Sequence, residues 1–169
     1  MSKIVILRGN AGSGKTTISK ALKSKIGSGT MLIPQDFIRM EMLGVEDVEK
    51  NPAISLLQNL VTYGHLNFEV VILEGILNKW HYQNLFKTIE EVYNKQIFAY
   101  YFDLPFEETL KRHTERNYTA FGEKEMREWW AEKDFIFNIK EKIITKEMSI
   151  DETVEMIYQD IMNTCKNKI

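Results

Sequence analysis

One short stretch of this chain has residue types and spacing that suit phosphate chemistry. It fits the pattern G-x-x-x-x-G-K-[ST] and consists of Gly9, Asn10, Ala11, Gly12, Ser13, Gly14, Lys15 and Thr16, with Thr17 directly behind it. Glycine lets consecutive backbone N–H groups turn towards one anion, and the start of a following helix adds the positive end of its dipole. The pattern therefore predicts a loop that binds the phosphates of a nucleoside triphosphate.

The side chains of this stretch fit roles in binding ATP and Mg²⁺. The Lys15 amine can reach the β- and γ-phosphates, the Thr16 hydroxyl can ligate Mg²⁺, and Thr17 follows where it can support the α-phosphate. Residues 3–7 contain a short apolar run, Ile4 to Leu7, that is rich in β-branched residues and predicts a buried strand ahead of the loop. Apolar residues at helical spacing follow the loop. Strand, loop and helix together favour a phosphate site over a glycine-rich turn that binds nothing.

An acidic residue, Asp36, comes directly after a second predicted strand. In that position it can accept the proton of a substrate hydroxyl during phosphoryl transfer. The alternative is that Asp36 only caps the short helix that follows it. Arg39 lies three residues further on, so one helical turn brings it to the same face, where it can pair with Asp36 or hold an anionic part of a substrate.

A second acidic residue, Glu74, ends the apolar run of residues 70–75. Proteins with this phosphate loop keep an acidic residue at such a strand end to orient Mg²⁺ or its waters, so we assign Glu74 to the metal and to the substrate side of the site. Asp is the commoner residue there. The alternative is an acid that bonds local backbone amides.

Arginines on a later helix complete the predicted site. Arg112 and Arg116 are four residues apart, and we expect them to belong to a helical lid of roughly residues 112–127 that closes over the phosphates. The alternative is a solvated helix face with local ion pairs. The three histidines lack the spacing of metal ligands.

Alternating apolar runs and helical patterns predict the fold. Five strands separated by helices indicate a three-layer α/β/α fold with a five-stranded parallel sheet, in one domain over residues 1–169. Ligands of such sheets bind beyond the carboxyl ends of the strands, where the residues above fall. We also expect helices over residues 80–93 and 123–135, and a last helix that ends near Cys165.

Composition limits the partners. Net charge is −2, so we expect no binding to long nucleic acid, and no apolar run approaches the length of a membrane span. The single cysteine suits a reducing compartment, so we expect a cytoplasmic protein that is a monomer or a homodimer.

The stretches at residues 9–17, 35–39, 71–75 and 102–113 resemble the small P-loop kinases related to polynucleotide kinase, zeta toxin and chloramphenicol phosphotransferase, including bacterial sequences described as uridine kinase-like. The resemblance implies ATP, Mg²⁺ and a hydroxyl acceptor, with Asp36 as general base and catalytic arginines at Arg112 and Arg116. Residues 44–68, where acceptor specificity should lie, carry no recognisable motif.

These observations lead to one main hypothesis and two alternatives. The main hypothesis is an ATP-dependent kinase that acts on a hydroxyl of a small molecule, such as a nucleoside, sugar or antibiotic. One alternative is a P-loop hydrolase that acts as a switch or binds a partner, and the other is a polynucleotide 5′-hydroxyl kinase. A guanine-specific N-K-x-D motif is absent from the sequence.

Overall fold

Five parallel strands form one sheet at the centre of the protein. The computed structural model describes residues 1–116 and 121–163. In chain order the strands are β1 (Lys3–Gly9), β2 (Thr30–Pro34), β3 (Val70–Gly75), β4 (Ile97–Phe102) and β5 (Glu141–Ile144). Their order across the sheet is β2-β3-β1-β4-β5, and every pairing is parallel. The predicted α/β fold with a five-stranded parallel sheet is confirmed.

Helices cover both faces of the sheet. They are α1 (Lys15–Ile26), α2 (Ala53–Asn67), α3 (Gln83–Tyr93), α4 (Phe106–Glu115), α5 (Glu123–Glu128) and α6 (Ile150–Asn163), with one π-helical turn at Phe37–Met42. None of the helices formed by the described residues is long and apolar enough to cross a membrane.

Two hydrophobic clusters hold the layers together, and β1 contributes side chains to both. Ile4 and Ile6 pack against α2 and α3, whereas Val5 and Leu7 pack against α1 and α6. All four side chains are fully buried. A strand covered on both faces needs apolar residues at successive positions, which explains the unbroken apolar run before the phosphate loop.

Two of the expected helices are wrong in length. The helix expected over residues 123–135 ends at Glu128, because side chains elsewhere bind the backbone beyond it: Asn10 pairs with both the N–H and the C=O of Ala131, at 3.0 and 2.8 Å. The helix expected from residue 80 begins at Gln83. The last helix is described as far as Asn163, so its expected end near Cys165 lies outside the described residues, as does the part of the expected lid at residues 117–120.

A buried arginine joins three segments to the end of β1. Arg8 is 0% exposed and donates hydrogen bonds to the Leu77 carbonyl (3.0 and 2.8 Å), to Asp134 (2.8 Å) and to Glu141 (2.9 Å). Its guanidinium also lies over the rings of Phe86 and Tyr101. The segments after β3 and α5 are therefore tied to the residue that precedes the phosphate loop.

Replacing Arg8 by methionine leaves two buried carboxylates without their cation. We expect Arg8→Met to lower the free energy of unfolding by about 3–5 kcal/mol in urea titrations. The matched control is Lys25→Met, which removes the exposed 2.9 Å pair with Glu155 and should lower stability much less, because solvent screens exposed pairs. Equal losses in the two variants would contradict a structural role for the Arg8 cluster.

Candidate active site

The phosphate-binding stretch joins the end of β1 to the start of α1 and turns tightly between them. Gly12 and Gly14 have φ angles of 76° and 100°, in the left-handed region that favours glycine. A Cβ on Gly12 would also collide with the backbone carbonyl of Thr109 on α4. The loop thus needs glycine both for its own conformation and for its contact with α4.

Lys15 folds back over the loop. Its Nζ donates hydrogen bonds to the Asn10 carbonyl (2.8 Å) and to the Ser13 hydroxyl (3.2 Å). Burial lowers the pKa of this amine, and the nearby carboxylates of Glu74 and Asp36 oppose that shift. The positive charge therefore sits between the loop and the two acids that the sequence singled out.

Thr16 and Glu74, the two residues that we assigned to a metal ion, lie in contact. The Thr16 hydroxyl donates to Glu74 Oε1 over 3.1 Å, and the Glu74 side chain is almost fully buried. Burial raises the pKa of Glu74, and the charge of Lys15 opposes the rise. Two adjoining hard oxygens suit Mg²⁺, which takes one or two protein ligands and completes its shell with phosphates and water. Among the described residues no group of three or more His, Cys, Asp or Glu gathers as a metal site.

Asp36 lies at the other side of the loop, and its carboxylate is accessible. The side chain is 51% exposed. Asp36 is the N-cap residue of the π-helical turn that follows, but its side chain makes no capping bond to that turn. Arg39 Nη2 lies 3.7 Å from Asp36 Oδ1, and Arg39 Nη1 donates to the Val45 carbonyl over 2.9 Å. Of the two roles expected for Arg39, the structure shows the pair with Asp36, and the role of holding an anionic part of a substrate stays a prediction.

A buried amide holds these two charged groups, and sequence reasoning missed it. Gln35 is fully buried, and with its amide nitrogen towards Asp36 it donates to that carboxylate over 3.2 Å and accepts from Arg39 Nε over 3.3 Å. In that orientation the Gln35 amide oxygen also accepts from the Tyr82 hydroxyl over 2.9 Å, and the Tyr82 oxygen lies 2.9 Å from Asp47 Oδ1. No local sequence pattern predicts this series of contacts, because the residues come from three separate segments.

The two predicted lid arginines lie against the phosphate-binding stretch. Arg112 donates to the Ser13 carbonyl over 3.3 Å and to Glu108 over 2.6 Å, and Arg116 donates to the Thr17 hydroxyl over 3.1 Å. Arg127, at the end of the expected lid, instead pairs with Glu123 and lies over the Phe106 ring. The local ion pair foreseen as the alternative is present at Arg112, but it coexists with contact to the loop.

Two cavities flank the loop. The first, which we call the α4/α6 cavity, is about 450 Å³ and is lined by the loop, both lid arginines and the segment from Ile144 to Ile150. The second, which we call the Asp36 cavity, is about 580 Å³. Its wall consists of Ala11, Asp36, Arg39, Met40, Glu46, Asp47, Val48, Ile76, Asn78, His81, Phe121, Glu128, Trp129, Trp130 and Ala131. The loop that should hold the phosphates therefore separates two compartments.

Comparison with solved structures gives a consistent fold. The gluconokinase of Sinorhizobium meliloti 1021 is similar to this chain with a TM-score of 0.70 and 12% identity, over 98% of this chain and 94% of that one. This is the P-loop kinase fold. The APS kinase of Mycobacterium tuberculosis, solved with AMPPNP and APS, has a TM-score of 0.64 and 17% identity over 96% and 98% of the two chains.

A third similar structure is the tunicamycin resistance protein of Deinococcus radiodurans, with a TM-score of 0.63 and 15% identity over 95% of this chain and 96% of that one. No protein-family model matches the sequence, and no curated protein matches it. The narrower group suggested by the sequence stretches therefore stays a prediction.

A methyl group on Gly12 should damage the loop. We expect Gly12→Ala to weaken AMPPNP binding at least about tenfold in calorimetric titrations, because alanine disfavours the φ of 76° and meets the Thr109 carbonyl. Gly122→Ala is the matched control, since the nearest atom to its added Cβ is a flexible Glu125 oxygen at 3.7 Å. Unchanged affinity in Gly12→Ala would show that the loop does not hold the phosphates in this conformation.

The raised pKa of Glu74 predicts a pH dependence of stability in the absence of nucleotide and metal. Above its ordinary pKa of 4.5 the unfolded chain has released this proton while the folded chain still holds it. Stability should therefore fall as pH rises from 4.5 through the raised pKa, and Glu74→Gln should remove that part of the fall. Urea titrations of both proteins between pH 4.5 and 7.5 test the difference. If stability changes with pH to the same extent in the two proteins, the result would contradict a raised pKa of Glu74.

Proposed function

We propose that this protein is an ATP-dependent kinase that phosphorylates a hydroxyl group of a small molecule. The observation that carries the proposal is the pair of cavities on either side of the phosphate loop, the second of which contains the accessible carboxylate of Asp36. A kinase needs both compartments, because donor and acceptor must approach the same phosphoryl group from opposite sides. A hydrolytic switch needs only the nucleotide compartment.

The α4/α6 cavity is the compartment for the nucleotide. The loop amides and Lys15 would hold the phosphates, while the base and ribose extend towards the segment after β5. Arg112 and Arg116 already contact the loop, so their guanidinium groups need only change hydrogen-bond partners to reach phosphate oxygens. Their role is the stabilisation of charge that develops during transfer.

Thr16 and Glu74 would hold Mg²⁺, directly or through its waters. When bound, the ion neutralises phosphate charge and orients the transferred group. The buried Glu74 gains from this arrangement, because a cation nearby favours its ionised form against the cost of burial.

Asp36 would take the proton of the acceptor hydroxyl. In the reaction the acceptor oxygen bonds to the γ-phosphorus, the bond between that phosphorus and the bridging β–γ oxygen breaks, and the proton passes to Asp36. Gln35 and Arg39 position the carboxylate, since both contact it. General-base assistance of this kind contributes about 10²- to 10⁴-fold in rate.

Removing the base should separate chemistry from nucleotide binding. We expect Asp36→Asn to lower kcat about a hundredfold or more while AMPPNP affinity stays unchanged, and Lys15→Ala to abolish transfer. Glu41→Gln, an exposed acid on the same π-helical turn, is the control. The measurement is ADP formation with Mg·ATP against a panel of hydroxyl compounds.

The same panel separates the proposal from its alternatives. Turnover that depends on a small-molecule acceptor supports the kinase. Steady ADP formation that ignores every acceptor would favour the hydrolytic switch, and turnover that needs a single-stranded 5′-end would favour the polynucleotide kinase. Full turnover in Asp36→Asn would remove the general-base assignment.

A further inference from the structure

We propose that the Asp36 cavity selects an acceptor that carries a positive charge beside its hydroxyl, as an amino sugar or amino alcohol does at neutral pH. This inference rests on the proposed function and narrows its substrate class. It follows from the charge of the cavity wall, from the state of each charged group in that wall, and from the aromatic side chains beside them.

Carboxylates outnumber cations in the wall of the cavity. Among the described residues that line it, four are acids, namely Asp36, Glu46, Asp47 and Glu128, whereas Arg39 is the one arginine or lysine and His81 is the one histidine. The guanidinium of Arg39 is already engaged, because it faces Asp36 at 3.7 Å and donates to the Val45 carbonyl at 2.9 Å. An anionic acceptor would therefore find no uncommitted arginine in this wall.

Two of the carboxylates have no close cation among the described residues that would neutralise their charge. Within residues 1–116 and 121–163, Glu46 forms no side-chain hydrogen bond or ion pair, and its side chain is exposed to the cavity. Glu128 has only a distant contact, 4.0 Å, to the highly exposed amine of Lys124. By contrast, Asp47 lies 2.9 Å from the Tyr82 hydroxyl and 3.7 Å from His81 Nδ1, and Asp36 is contacted by Gln35 and Arg39. Glu46 and Glu128 are thus the acids available to a ligand.

An aromatic surface adjoins these acids. Phe121, Trp129 and Trp130 line the same cavity, and Phe121 and Trp129 pack edge to face with ring centroids 5.0 Å apart. Trp129 is 44% exposed, so its ring is accessible from the cavity. A tryptophan face attracts an ammonium group through its quadrupole, and the attraction adds to that of nearby carboxylates. Both features favour the same charge on the ligand.

The cavity therefore discriminates by charge among compounds of similar shape. Its volume of about 580 Å³ lies in the range of small-molecule sites. A carboxylate-bearing sugar such as gluconate would meet repulsion from Glu46 and Glu128, whereas the amine of an amino sugar would be attracted with its hydroxyls still free to face Asp36. A neutral acceptor would gain neither contact.

The test uses sets of compounds that share a scaffold and differ in charge. Glucosamine, N-acetylglucosamine and glucuronate, which share a sugar ring, form one set, and equivalent amine, acetylated amine and acid sets on cyclitol and linear alcohol scaffolds extend it. We expect the best acceptor to be an amine whose kcat/KM exceeds that of its acetylated form at least about tenfold, and the difference to shrink in 0.5 M salt. An acetylated or acidic compound that leads its own set would overturn the proposal.

Variants connect the preference to the wall. Glu46→Gln and Glu128→Gln should each raise KM for the preferred amine about fivefold, with a smaller effect on kcat, because they remove attraction without touching Asp36. Glu49→Gln and Glu132→Gln are the matched controls, since these exposed acids lie nearby in sequence but outside the cavity wall. Equal KM values in the two pairs of variants would overturn the proposal.

A binding measurement separates failure of this inference from failure of the proposed function. In a Trp80→Phe background, which leaves Trp129 and Trp130, fluorescence quenching by caesium should exceed quenching by iodide when each is scaled to a reference peptide. Glu46→Gln with Glu128→Gln should bring the two ions closer. If no compound stimulates turnover, the kinase proposal fails, and this ratio still decides whether the cavity favours cations. Iodide quenching equal to or above that of caesium would overturn the charge preference.

Discussion

A guanidinium that cannot reach water dictates much of this structure. Arg8 ends inside the protein, so its charge must be matched by groups that other segments deliver, and Leu77, Asp134 and Glu141 do so. The partners place the segment after β3 and the segment after α5 beside the carboxyl end of β1. These are the segments that carry Asn78, His81, Trp129 and Trp130 into the Asp36 cavity. One buried cation thus shapes the compartment proposed for the acceptor.

A second polar chain extends the same arrangement towards the chemistry. Asp47, Tyr82 and Gln35 form a continuous series of contacts that ends at Asp36 and Arg39. Asp47 belongs to the segment between the π-helical turn and α2, which the sequence left without a motif. The Asp36 side chain, which a buried amide contacts, is half exposed and lines the cavity. The segment that carries Asp47 and the proposed base are therefore parts of one polar cluster.

The sequence predicted the parts of this protein that depend on local pattern. Three features could be predicted in this way: the apolar run of β1, the glycines of the loop and the acids at two strand ends. Each of them lies within a few residues of the strand or loop to which it belongs. The Arg8 cluster could not be predicted, since its partners Asp134 and Glu141 lie 126 and 133 residues away. The early end of α5 at Glu128 has the same origin: long-range bonds from Asn10 and Arg8 override a helical pattern. Residues 46–48 line the Asp36 cavity because the fold brings their segment there, and no local sequence pattern predicts this.

The two cavities have a property that bears on how such a protein can diversify. Among the described residues, none that lines the α4/α6 cavity also lines the Asp36 cavity. A substitution in either wall therefore leaves the other wall's chemistry intact, provided that the loop between them keeps its shape. Evolution can therefore change the residues of the Asp36 cavity one at a time while the residues that line the α4/α6 cavity stay the same.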